Sequence, residues 1–174
     1  MTRFHLTLRL LHWFMAALII AMLFIGVGMV STAGPAYPWL LALHRLVGIA
    51  LLALVVIRLT LRWRLGAPAL PHDLPGWQKM AARAVHLTFY GLLLAMPMIG
   101  WAMLSASGTP VVLINGVILP PIAPHDLQLF AGLRKLHTCL AFIFFALILG
   151  HLAVGLAHGL IRKDGVLASM GFGR

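Results

Sequence analysis

From Leu136 to Leu160 the chain reads LHTCLAFIFFALILGHLAVGLAHGL. The run holds no Asp, Glu, Lys or Arg and is long enough to cross about 30 Å of hydrocarbon as a helix; three histidines, His137, His151 and His158, interrupt it. Three further apolar runs lie upstream, at approximately Leu6 to Val30, Trp39 to Leu61 and Val85 to Leu104. Across 174 residues 62% are hydrophobic, only 9% are charged, and the mean hydropathy is +1.03. A water-facing surface needs roughly 25 to 35% charged residues, so a soluble domain is excluded. The expectation is an all-α integral membrane four-helix bundle, one membrane-embedded domain over residues 1–174.

The small residues Ser31-Thr32-Ala33-Gly34-Pro35-Ala36 imitate a signal cleavage region, but the apolar run before them is longer than a signal core and reads as a true span. An even number of spans puts both termini on one side. Arg3, Arg9, Arg58, Arg62, Arg64, Lys79, Arg83, Arg162, Lys163 and Arg174 fall on that side, and Arg45, Arg134 and Lys135 on the other. Because the cytoplasmic segments of membrane proteins hold the excess of Lys and Arg, the termini and the loop Ala67-Pro68-Ala69-Leu70-Pro71 are expected to face the cytoplasm. The link at Gly34 to Pro38 and the segment Ser105 to Leu133 then face outward. A net charge of +10 would suggest nucleic acid in a soluble protein; here it is a signal of topology, and no nucleic-acid partner is expected. Within the outer segment, Val111 to Leu119 reads as an apolar hairpin around Asn115-Gly116, a pair suited to a type I′ turn, covering the bundle end.

Asp73, Asp126 and Asp164 fall in loops or tails, so the ionisable groups within the spans are mainly histidines. An intramembrane histidine costs free energy unless something satisfies it. His137 and His151 are 14 residues apart, which sets them on nearly the same helix face about 21 Å apart along the axis. They serve two sites rather than one. With the chain alternating direction, His44 shares the depth of His137, and His12 that of His151. Two histidine pairs at two levels, each drawn from different helices, is the layout that clamps two flat macrocycles through their irons.

Alternatives come from the same residues. A zinc site wants four convergent ligands, and each level offers two. Met15, one turn from His12, is a possible iron ligand in place of a histidine, and Gly48 and Gly155 are candidates for admitting a porphyrin face. The single cysteine, Cys139, excludes an intramolecular disulfide and every multi-cysteine cluster motif, and with no Cys-x-x-Cys-His any haem is noncovalent. His86 and His158, with Arg83, Arg162 and Lys163 near them, suit a quinone, whose carbonyls need donors and whose reduction needs a proton; the alternative is interfacial histidines touching headgroups.

Leu11-His12-Trp13, Leu43-His44-Arg45-Leu46-Val47-Gly48-Ile49, Ala84-Val85-His86-Leu87-Thr88-Phe89-Tyr90, Leu136-His137, Gly150-His151 and the tail Arg162-Lys163-Asp164-Gly165 together resemble the bacterial cytochrome b561 family, over nearly the whole chain. The resemblance implies a multi-pass protein of the bacterial inner membrane with two haem b groups that exchanges electrons with the quinone pool. It makes His12 with His151 the axial pair of the cytoplasmic haem and His44 with His137 that of the periplasmic haem, and places His86 and His158 near quinone. The compact form is similar to the superoxide oxidase branch, which implies superoxide:ubiquinone oxidoreductase activity. Other relatives are cytochrome b subunits serving a dehydrogenase, hydrogenase or periplasmic redox protein. Arg45, Arg134 and Lys135 are the candidate catalytic cations at the outward face, attracting superoxide or docking an acidic redox protein, with haem propionates as a further partner for Arg45. A histidine-lined metal or proton transporter is the remaining reading.

Overall fold

A computed structural model describes residues 3–32 and 34–171; Ala33 and Arg174 lie outside them. Four long helices alternate in direction: α1 (Leu6–Ser31), α2 (Ala36–Leu65), α3 (Gly76–Ala106) and α4 (Leu127–Ala157). All four are long and apolar enough to cross a membrane. α4 runs on into a π turn, His158–Arg162, and a short helix, α5 (Val166–Met170), follows. The outside of the bundle is apolar, with Val30 90%, Trp63 85% and Ile161 80% exposed. Water would penalise such a surface and lipid does not.

α3 and α4 each begin well before their apolar runs. The early turns carry Gln78 and Lys79 in one helix and Gln128, Arg134 and Lys135 in the other, so hydropathy alone does not register them. Capping does. Asp126 Oδ1 accepts the Gln128 amide at 2.7 Å and the Leu129 amide at 3.0 Å, which satisfies two of the donors that open α4.

α1 packs along α2, α3 along α4, and α2 against α3. Among the described residues α4 meets α1 and α2 only sparsely. Met15 from α1, Leu51 and Val55 from α2, Leu92 and Leu93 from α3 and Phe144 from α4 form one buried cluster. Phe144 stands midway between His137 and His151 in sequence, so this cluster occupies the depth between the two histidine levels.

Each end of the bundle is closed by a small element. At the end carrying the termini, α5 is drawn against the start of the chain: the Phe4 amide donates to Ser169 O at 3.2 Å, Trp13 Nε1 to Met170 O at 2.8 Å, and Arg9 Nη2 to Gly171 O. At the opposite end, β1 (Val111–Val112) pairs antiparallel with β2 (Ile118–Leu119), Val111 opposite Leu119. The expected hairpin is present, but a 3-10 turn over Ile114–Gly116 makes its reversal, with Gly116 at φ 75°, wider than a two-residue type I′ turn. Trp101 Nε1 donates to Pro120 O at 3.0 Å and the Ile122 amide to Ser105 Oγ at 3.1 Å, fastening this lid to α3.

Candidate functional site

The alternation of the helices brings the histidines together in the expected pairs. At the end opposite the termini, the rings of His44 (α2) and His137 (α4) have centroids 6.1 Å apart at an interplanar angle of 63°. At the termini end, His12 (α1) and His151 (α4) lie 6.3 Å apart at 43°. A nitrogen ligand sits about 2 Å from its metal and about 1 Å from its own ring centre, so two imidazoles on opposite sides of one iron hold their centres about 6 Å apart. Both pairs fit that spacing. Nδ1 of His12, His44 and His137 is buried without a hydrogen-bond partner. Buried polar atoms in folded proteins are nearly always paired, so rings in this state are candidates to meet a ligand.

His86 stands closer to this site than its position in the sequence suggests. Its ring centroid is 5.9 Å from that of His151, and the Phe89 ring is 5.2 Å from the same imidazole. By spacing alone His86 competes with His12 as the partner of His151; packing separates the two. Helices in direct contact, about 8–10 Å between axes, fill the space between them with their own side chains, and α3 lies directly along α4 while α1 stands away from it. The side of α4 open to a flat macrocycle would therefore be the one toward α1 and α2. Among the described residues no group of three or more His, Cys, Asp or Glu side chains gathers into a metal cage, and a haem iron, which draws four ligands from its macrocycle, asks for two.

His158 is engaged elsewhere. Its Nδ1 is 2.6 Å from Asp164 Oδ2, the same oxygen accepts Arg162 Nε at 3.1 Å, and Arg162 Nη2 reaches Asp73 Oδ2 at 2.8 Å. Burial pushes the Asp164 carboxyl up, but hydrogen bonds from His158, the Val166 amide and Arg162 outweigh it and hold the group below its ordinary value.

Other expected residues take different places. Met15 is a core side chain, one of the buried cluster. Gly48 packs toward Met22, and Gly155 faces open space. The glycine beside a candidate ligand ring is Gly100 on α3, where an added Cβ would lie 3.6 Å from His137 Cε1, an ordinary contact. Its sequence signal was available: Gly100 follows His86 by the same 14 residues that separate His151 from His137. Arg45 Nη1 donates to Pro110 O at 3.3 Å, tying α2 to the lid. Arg134 and Lys135 lie with Ala131, Thr138, Cys139 and Phe142 along one shallow, exposed face of α4, a face that does not include His137.

Imidazole pairs facing one another inside four membrane-length helices are the donor set of a membrane cytochrome b. The chain belongs to the prokaryotic cytochrome b561 family, whose model matches residues 3–173. It is 28% identical over 178 residues to "Cytochrome b561 homolog 1" of Escherichia coli (strain K12), covering 98% of this chain and 97% of the relative. To "Cytochrome b561 homolog 2" of the same organism it is 34% identical over 166 residues, 91% of this chain and 86% of the relative. A "Probable superoxide oxidase CybB" of Yersinia pestis is 27% identical over 161 residues, 92% and 90% of the two chains. Membership makes this a haem b-binding electron-transfer protein, multi-pass in the bacterial inner membrane.

Proposed function

We propose that the chain conducts electrons across the membrane through two haem b groups, from a donor at the end opposite the termini to quinone at the termini end. The Lys and Arg distribution supports a cytoplasmic position for the termini. The observation that carries the reading is the pair of histidine pairs, each with ring centres about 6 Å apart, as two ligands of one iron require. His44 and His137 hold one haem, His12 and His151 the other. Haem, when bound, supplies reversible one-electron iron chemistry. The protein's own residues do the rest: Gly100 lies against the His137 ring, and the cluster around Val55 and Phe144 keeps water out of the interior between the levels. His86 and His158 serve quinone, as hydrogen-bond donors to its carbonyls and as proton carriers.

The donor in this proposal is superoxide. Two superoxide anions give up one electron each and leave as dioxygen, and ubiquinone takes those two electrons with two protons to become the quinol. Similarity to the Yersinia pestis protein supports this choice, and Arg45, Arg134 and Lys135 supply positive charge at the receiving end, where focusing raises the encounter rate of a small anion by about 10-fold or more. A second reading rests on the lid, whose Val112, Ile114, Val117 and Ile118 are exposed together. An apolar patch of that kind suits a partner protein, and the chain is then the cytochrome b subunit of a dehydrogenase, a hydrogenase or a periplasmic redox protein. Purified protein mixed with superoxide and ubiquinone, with no partner present, decides between them. Consumption of superoxide with matching quinol formation, slowing as salt shortens the Debye length below about 8 Å, is expected. Inert protein that becomes active only with a partner would transfer the role to the second reading.

A further inference from the structure

Asp164 belongs to the tail, outside the four spans, yet its carboxylate is among the least exposed polar groups at the termini end, 11% accessible against 15% for the His158 side chain it meets. Three features of the fold hold that contact in place. His158 opens the π turn that ends α4. The chain then reverses through Lys163 at φ 51° and Gly165 at φ 83°, which carries Asp164 back beneath the turn it has just left. α5 closes so tightly on the π turn that a Cβ at Gly159 would collide with the Leu167 side chain. The hook is in turn pinned to the start of the chain through Phe4, Arg9 and Trp13.

We propose that Asp164 is a positioning residue for proton delivery to quinone, fixing the tautomer and orientation of His158. The inference rests on the reading that His158 serves quinone. An ionised carboxylate only accepts, so the proton of the 2.6 Å contact sits on His158 Nδ1, and Nε2, which has no partner among the described residues, is left as the exchanging nitrogen. In each proton transfer Nε2 first takes up a proton from the aqueous phase on the termini side, giving the imidazolium; the new Nε2–H bond then breaks as an O–H bond forms at a quinone carbonyl oxygen, which returns the neutral Nδ1-protonated tautomer. Two such transfers accompany the two electrons that reduce quinone to quinol, both supplied by the donor through the haem-bound chain. A carboxylate behind an imidazole fixes the tautomer and stabilises the cation formed at each re-protonation, the same relation that orients catalytic and metal-binding histidines elsewhere. Arg162 adds a second donor to the Asp164 carboxylate and reaches on to the exposed Asp73.

The experiment uses the full-length, haem-loaded protein and its Asp164→Asn, Asp164→Glu, Asp73→Asn and His158→Ala variants. Two readouts are independent of turnover: the ¹⁵N signals of His158, and the Kd for a non-reducible quinone analogue. In the wild type His158 is expected to show one Nδ1-protonated tautomer, and in Asp164→Asn a mixture. Asp164→Asn is expected to lower kcat for quinone reduction by about 100-fold with analogue Kd, KM and haem spectra changed less than about 2-fold, and Asp164→Glu to restore kcat to within about 10-fold of wild type. Asp73→Asn breaks the outer link alone and is expected to change kcat by less than about 2-fold. An unaltered kcat in Asp164→Asn, with His158→Ala still slow, would overturn the role of Asp164 and leave the quinone reading standing. Unaltered kcat in His158→Ala would overturn the quinone reading itself. Equal losses in Asp73→Asn and Asp164→Asn would assign the network a tethering role and overturn the positioning one, and so would loss of analogue binding in Asp164→Asn.

Discussion

On α4, His137 and His151 repeat at an interval of 14 residues; facing them on α3, Gly100 and His86 repeat at the same interval in the opposite direction. The spacing is common to both levels and the residues are not. At the end opposite the termini, α3 contributes a glycine that lies against the His137 ring. At the termini end it contributes a third imidazole and the Phe89 ring, both beside His151. On the proposed reading one level seats a cofactor and little else, while the other adds a titratable group next to its histidine pair. A bundle that only relayed electrons between proteins would need no such asymmetry. One that ends in a proton-coupled reaction needs it at one level only.

The largest effects expected are losses of haem. His137→Ala and His44→Ala are expected to remove the haem at the level opposite the termini, and His151→Ala and His12→Ala the one at the termini end, each halving haem b per chain in a pyridine haemochrome assay. The sharpest of these is His12→Ala: full retention of two low-spin haems there would make His86 the true partner of His151. Gly100→Leu is expected to displace the His137 ring and cost the same haem, whereas Gly100→Ala adds a Cβ at an ordinary contact distance of 3.6 Å and should keep it. Equal haem content in both variants would mean that Gly100 is packing and not a ligand-ring seat.

Smaller effects follow at the other level. His86→Ala is expected to keep both haems and slow quinone reduction by about 10- to 100-fold; loss of haem instead would erase the proposed division of labour. Phe144→Ala, between the levels, is expected to cost about 3 kcal/mol of stability in thermal unfolding while leaving the ligand sets intact. The smallest effect is in acid. Because the folded-state pKa of Asp164 is lowered, its contribution to stability is fully present above the unfolded carboxylate pKa of about 3.9 and disappears as pH falls through the lower folded value. Thermal midpoints measured downward from pH 5 should therefore fall more steeply for the wild type than for Asp164→Asn, and parallel curves would show that the tail contacts contribute nothing.

Much of this was legible in the sequence because a bilayer permits few solutions. Apolar runs of spanning length left helices as the only economical structure, and alternation of direction then fixed which histidines share a depth, so His12 with His151 and His44 with His137 followed from spacing alone. What stayed hidden depends on lateral packing or on the irregular tail. His86 reads as an interfacial residue until α3 is seen to start at Gly76, well before its apolar run, with the ring brought to His151. Gly100 carries no chemistry of its own and gains a role only once α3 is known to lie along α4. The bond between His158 and Asp164 needs a π turn and two left-handed residues, Lys163 and Gly165, and neither hydropathy nor helical periodicity encodes those. Arg134 and Lys135 are neighbours of His137 in sequence but sit on another face of the helix, a difference of angle that sequence proximity conceals.

The two-level arrangement stands or falls most directly on the amount of haem b bound per purified full-length chain, measured by pyridine haemochrome against protein concentration. Two ligand pairs with ring centres 6.1 and 6.3 Å apart predict two haems per chain. A fully loaded chain that carries only one, or none, would contradict the arrangement.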